Sequence, residues 1–142
     1  MRGVVVSKRA YVALGTNLGN RLLNLREATR RLKLLGEVRE GLVIETPALL
    51  PIENPTPQPA YLNTVVELKT PLGAVELFHQ LKRIERVMGR VTTTRWAARI
   101  IDLDLILFGD LKLTTPELTV PHPRAHERDF VFRPLRFLGV RL

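Results

Sequence analysis

The chain has 142 residues, no cysteine and a formal net charge of +8, which bounds it to one ordinary domain with its own core and excludes disulfides and thiolate-bound structural zinc. Met1 and Arg2 precede an apolar run, Val4 to Val6, that Ser7, Lys8 and Arg9 end at once, far short of a signal-peptide core or a membrane span. The expectation is a cytoplasmic monomer that attracts anions, with nucleotide, nucleic acid and anionic membrane all qualifying until a site decides among them.

Tyr11 to Leu14 reads as a strand, ending in the turn-rich Gly15-Thr16-Asn17-Leu18-Gly19-Asn20. Asn20 suits the N-cap of a helix whose stripe is Leu22, Leu25, Ala28, Leu32 and Leu35, with Gly36 just past its end. Leu42 to Glu45 is a second strand. From Thr46 to Ala60 the chain carries five prolines, Pro47, Pro51, Pro55, Pro57 and Pro59, and a loop of that length inside a compact domain is usually functional or disordered. Tyr61 to Lys69 alternates, with Leu62, Thr64, Val66 and Leu68 on one face and Tyr61, Asn63, Val65 and Glu67 on the other. Thr70 and Pro71 suit the start of a second helix that runs to about Met88, with Ala74, Leu77, Phe78, Leu81, Ile84 and Met88 as its apolar stripe and Gly89 as its stop. A fourth strand, Ile101 to Phe108, closes at Gly109-Asp110, and the remainder mixes short apolar runs with prolines. Strand, helix, strand, strand, helix, strand matches the ferredoxin-like βαββαβ pattern of the α+β class. That pattern predicts an antiparallel sheet with helices on one face and active-site loops on the other.

Asp102 and Asp104 stand one residue apart in the otherwise apolar fourth strand, so their side chains share a face while Leu103 looks the other way. Two like charges at that spacing need a cation, a proton or an arginine between them. Between Lys82 and Arg99, six cations (Lys82, Arg83, Arg86, Arg90, Arg95 and Arg99) face one acid, Glu85. A structural ion pair with Arg95 or Arg99 would explain one aspartate; two acids beside several cations suit magnesium on some phosphate oxygens and guanidinium groups on others. The glycines at 15 and 19 lack the lysine of a P-loop and the spacing of a dinucleotide fingerprint, and they read as strand-to-helix geometry. Tyr61 and Asn63 share a strand face after the proline-rich loop, an aromatic plate and an amide that can meet a flat heterocycle. Trp96, beside arginines, is a further stacking candidate. His122, between Pro121 and Pro123, is a phosphate contact or a turn cap, whereas His79 and His126 read as surface residues.

Taken in order, several segments resemble one family over nearly the whole chain: Ala13-Leu14-Gly15-Thr16-Asn17-Leu18-Gly19, Glu45-Thr46-Pro47, Tyr61-Leu62-Asn63, Ile84-Glu85, Gly89-Arg90, Arg95-Trp96, Arg99, Asp102-Leu103-Asp104, Leu118-Thr119-Val120-Pro121-His122-Pro123 and Arg128-Asp129-Phe130. Together they resemble 6-hydroxymethyl-7,8-dihydropterin pyrophosphokinase, a folate-pathway enzyme. The resemblance implies transfer of the β,γ-diphosphate of ATP to the hydroxymethyl oxygen of the pterin, with AMP released. Asp102 and Asp104 would hold two Mg2+ ions, and Arg90 and Arg99 would act beside them. Tyr61 and Phe130 would stack on the pterin, with Thr46, Pro47, Leu49, Asn63 and Trp96 lining its slot. ATP would meet Glu85, Arg90, Trp96, Arg99, Thr119, His122 and Arg128. The partners implied are small molecules, with no nucleic acid and no membrane. Ala97-Ala98 and Thr92 depart from residues common in the family. The alternative is a ferredoxin-like nucleic-acid-binding module, which seldom carries two carboxylates on the face where it stacks bases.

Overall fold

The computed structural model describes residues 6–48, 57–89 and 100–141, apart from the side chain of His126. Strand β1 (Lys8–Thr16) leads into helix α1 (Arg21–Leu32), followed by β2 (Glu37–Glu40), β3 (Ile44–Thr46), β4 (Tyr61–Thr70), α2 (Ala74–Val87) and β5 (Asp102–Phe108). A small hairpin of β6 (Leu113–Thr114) and β7 (Thr119–Val120) precedes a third helix, α3 (Asp129–Phe137). The five main strands form one sheet, ordered β2–β4–β1–β5, with β3 also on β4 and every pairing antiparallel. The class is therefore α+β. Because β1 covers one side of β4 along its length, β2 and β3 share the other side as two halves of one interrupted edge strand. None of the helices described is long and apolar enough to cross a membrane.

Alternation along the strands divides the sheet into two faces. Ala10, Val12, Leu14, Val66, Leu68, Leu103 and Leu105 meet Leu25, Ala28 and Leu32 of α1 and Leu77, Leu81 and Ile84 of α2 in the main core. The α2 stripe read from the sequence is the buried one, with Phe78 and Met88 at its margin. Asn20 caps α1 as expected, its side chain accepting from Leu23 N at 3.0 Å. Leu22, by contrast, is 51% exposed and lies off the buried stripe.

Three local expectations are corrected. Gly36 does not cap α1, which ends four residues earlier at Leu32; a Cβ there would lie 2.1 Å from the carbonyl oxygen of Lys69, so the glycine permits close approach of two backbones. Thr70 does not cap α2 either. Its hydroxyl donates to Leu35 O at 2.8 Å and accepts from Leu72 N, and Gly73 takes the cap position. The second strand is longer than Leu42–Glu45 and breaks at Gly41, where a Cβ would come within 2.3 Å of Val65 O.

The larger correction concerns the second face of the sheet, which is not left to loops alone. Helix α3 lies there, with Val131, Leu135 and Leu138 packed against Val65 and Ile106 in a second apolar cluster. These residues follow the i, i+4, i+7 spacing of a helical stripe. Pro134 sits inside the helix and is itself buried, a position that sequence patterns normally read as a break. The half of this face that α3 leaves uncovered is where both aspartates point.

Candidate active site

A bulge in β5 gives the strand its working geometry. Between Tyr11 and Val12 the register with β5 slips by one residue, so Val12 faces Leu105 and Tyr11 faces Leu107, leaving Ile106 as the extra residue. Leu103 and Leu105 stay in the main core while Ile106 and Leu107 both enter the cluster under α3. Ile106 O, released from the ladder, accepts the backbone N–H of His122 at 2.8 Å. The bulge thus anchors His122, at the start of the 122–128 segment, on the strand that carries the half-buried Asp102 and Asp104.

Across the same face, the register aligns Ile44, Asn63, Gly15 and Asp102 in one row and Val65, Ala13 and Asp104 in the next. Asn63 and Asp102 are two strand spacings apart, about 10 Å, and only Gly15 lies between them. A cavity of about 800 Å³ opens over this floor, lined among others by Ala13, Gly15, Thr46, Pro47, Tyr61, Asn63, Asp102, Asp104, Arg128 and Phe130. A Cβ on Gly15 would stand 3.3 Å from Asn63 Oδ1 and 3.6 Å from Tyr61 Cδ1. The small central strand residues therefore make the cavity deep.

Asn63 is held rather than loose. Its Nδ2 donates to Thr46 Oγ1 at 2.8 Å and to Ile44 O at 3.4 Å, leaving Oδ1 turned toward Gly15 and the cavity. Phe130 belongs to the first turn of α3, and the Arg128 guanidinium lies over its ring at 5.8 Å. Burial holds the His122 imidazole below its ordinary pKa; the Asp104 carboxylate pulls it back up, while Arg128 and Arg124 push it further down. His122 Nδ1 accepts from Arg124 N at 3.2 Å, which puts the proton of the neutral ring on Nε2.

A family model described as 7,8-dihydro-6-hydroxymethylpterin-pyrophosphokinase matches residues 11–139. The chain belongs to this pyrophosphokinase family. Among its relatives, the 2-amino-4-hydroxy-6-hydroxymethyldihydropteridine pyrophosphokinase of Bacillus subtilis is 40% identical over 126 residues, 89% of this chain and 75% of that protein. The enzyme of the same name from Haemophilus influenzae is 36% identical, over 89% of this chain and 78% of its own length. The mitochondrial folate synthesis bifunctional protein of Pisum sativum is 43% identical over 90% of this chain but 24% of that protein. The chain thus spans about a quarter of this plant relative and about three quarters of the bacterial ones.

The structure gathers Thr46, Pro47, Tyr61, Asn63, Asp102, Asp104, Arg128 and Phe130 around one cavity. His122 stands within electrostatic reach of Asp104, and Thr119 lies in β7, between the core residues Leu118 and Val120. Glu85 is different. It is 2% exposed and comes from α2, on the opposite side of β5 from the aspartates, where its Oε2 accepts Leu103 N at 2.8 Å and its Oε1 pairs with Lys82 at 3.1 Å. Leu49, Arg90, Arg95, Trp96 and Arg99, with the departures at Thr92, Ala97 and Ala98, lie outside the described residues. Sequence reasoning misses the role of Gly15, which reads as a turn residue, and that of Ala13. The signal is present as two small residues at alternate positions of a central strand, the pattern of a recessed surface.

Proposed function

We propose that this chain transfers the β,γ-diphosphate of ATP to the hydroxymethyl oxygen of 6-hydroxymethyl-7,8-dihydropterin, releasing AMP, as a step of folate biosynthesis. The observation that carries the reading is that an aromatic–amide slot and a carboxylate pair share one cavity at a spacing of about 10 Å. Tyr61 and Phe130 stack on the pterin, and Asn63 Oδ1 accepts from its amino or ring N–H edge, with Thr46 and Pro47 at the rim. In that orientation the hydroxymethyl group lies along the Gly15 floor toward the aspartates.

In the transfer, the hydroxymethyl oxygen bonds to the β-phosphorus as the bond from that phosphorus to the α,β-bridging oxygen breaks. The electron pair of the broken bond leaves on AMP, and the hydroxyl proton passes to solvent or a phosphate oxygen. The donor set fits magnesium, which takes one or two carboxylates together with water and phosphate oxygens rather than a closed protein cage. Asp102 and Asp104 would hold it, as two ions, and bound there it would neutralise the triphosphate and stabilise charge on the leaving oxygen. Arg128 and the Nε2–H of His122 orient phosphate oxygens, and the family pattern adds Arg90, Arg99, Trp96 and Thr119. Glu85 acts from behind the strand, gripping Leu103 N–H so that the carboxylates on either side keep their direction.

The strand order, the antiparallel pairing and the two helices that share a face also support a ferredoxin-like core, with α3 added on the far side. The nucleic-acid alternative is disfavoured, because the face on which such a module would stack bases carries two carboxylates. The test is AMP formation with magnesium and the hydroxymethyl-dihydropterin supplied together and separately. AMP should appear only when both are present; equal AMP without the pterin would contradict the reading.

A further inference from the structure

Arg21 is an unfavourable residue for its place. It opens α1, where the helix dipole disfavours a cation, and no acidic residue stands in that first turn to offset it. Its guanidinium turns away from the helix instead. Nη1 donates to Ala60 O at 2.8 Å and lies 2.9 Å from Glu45 Oε2. Glu45 sits in β3, one residue before Thr46, and Ala60 directly precedes Tyr61, with Thr46 and Tyr61 paired across the ladder. One side chain therefore holds the outgoing and returning stems of the long β3–β4 connection at the point where it delivers two cavity residues. Asn17 adds to the returning stem: fully buried, it donates from Nδ2 to Pro59 O at 3.1 Å and to Gln58 Oε1 at 3.3 Å.

We infer that Arg21 is a positioning residue for the pterin slot, acting from outside the cavity by clamping both stems of the 47–60 connection so that Thr46, Tyr61 and, through Thr46, Asn63 are preset before substrate arrives. The inference rests on the pterin reading of the slot. Glu45 is largely exposed, so its ion pair alone contributes little. The bond to Ala60 O is the stronger contact, because a charged donor on a backbone carbonyl outweighs a surface pair, and the same Nη1 also meets Glu45, so the two stems share one donor. Without it, the stems must be ordered when the ring binds, and that cost falls on pterin affinity alone.

The test is steady-state kinetics and thermal unfolding of Arg21→Ala, Arg21→Lys and Tyr61→Ala, varying ATP and hydroxymethyl-dihydropterin separately. Loss of one charge-assisted bond in Arg21→Ala should raise the KM for the pterin about tenfold, with the KM for ATP changed less than about twofold. Lysine, which can reach one acceptor but not hold both, should recover part of the loss. An unchanged pterin KM in Arg21→Ala would overturn the inference, as would a proportionate rise in both KM values, the mark of general destabilisation. Tyr61→Ala separates the two layers. If it raises the pterin KM while Arg21→Ala does not, the clamp alone fails; if Tyr61→Ala leaves the pterin KM unmoved, the slot reading itself fails.

Discussion

Gly15 has a narrow tolerance. Its backbone is ordinary extended strand, so the constraint is space: an added Cβ meets Asn63 Oδ1 at 3.3 Å, and Asn63 is already fixed by Thr46 and Ile44. The neighbour must give by a few tenths of an ångström or the floor must rise. Gly15→Ala should fold normally and weaken pterin binding by about 1 kcal/mol, roughly fivefold, a cost typical of modest overpacking. ATP binding, which the proposed reading puts on the far side of the floor, should change less. Calorimetric titration of the two ligands checks this, and equal weakening of both would move the pterin away from Gly15. The aspartates are the opposite case: their chemistry is legible in the sequence because two acids on one face of an apolar strand repel each other unless a cation or a proton lies between them. Gly15 is not legible in that way, because a glycine next to a turn looks like a turn residue until the strands on both sides are in place.

At the scale of elements, a polar clasp joins the sheet to α3. Tyr11 OH donates to Glu67 Oε2 at 2.7 Å, Arg39 Nη2 donates to the same oxygen at 2.8 Å, and that nitrogen also reaches Leu138 O just past the helix. Arg39 and Tyr11 hold the Glu67 carboxyl below the usual glutamate range, Arg39 contributing most. Arg30 and Arg31 hold Glu27 of α1 at about 2, against an ordinary value of 4.5. Both carboxylates bind protons more readily unfolded than folded, so their stabilisation is full above the ordinary value and is lost as pH falls toward the depressed ones. Unfolding midpoints should therefore decline between about pH 5 and pH 2, and Glu67→Gln should make that decline shallower. An identical slope in the variant would remove Glu67 from the acid response. Strands and helices with a clear period, β4 and α2 above all, are legible in the sequence to within a few residues. Helix α3 is not: its stripe is short, and Pro134 masks it. The interrupted edge strand is also obscure, since its break at Gly41 answers to Val65 O, a partner far along the chain.

For the molecule as a whole, antiparallel pairing brings residues from three distant segments to one face: 13–15, 61–63 and 102–104. The spacing of the slot and the carboxylate pair is then a property of the sheet, two strand intervals and little else. The net charge of +8 favours approach of a polyanion without choosing which; the choice lies in the cavity. Its outline is legible from the ordered motifs, while the bulge at Ile106 that anchors His122, the buried Glu85 behind the strand and the Arg21 clamp depend on the tertiary register. The central claim is that Asp102 and Asp104 hold the metal-bound nucleotide opposite the pterin slot. Single-turnover AMP formation by Asp102→Asn and Asp104→Asn, with magnesium and both substrates saturating, tests it most directly. The account predicts a fall of about a thousandfold or more in each variant, with thermal unfolding of Asp104→Asn unchanged or raised because repulsion between like charges is relieved. A rate within about tenfold of the parent chain in either variant would contradict it.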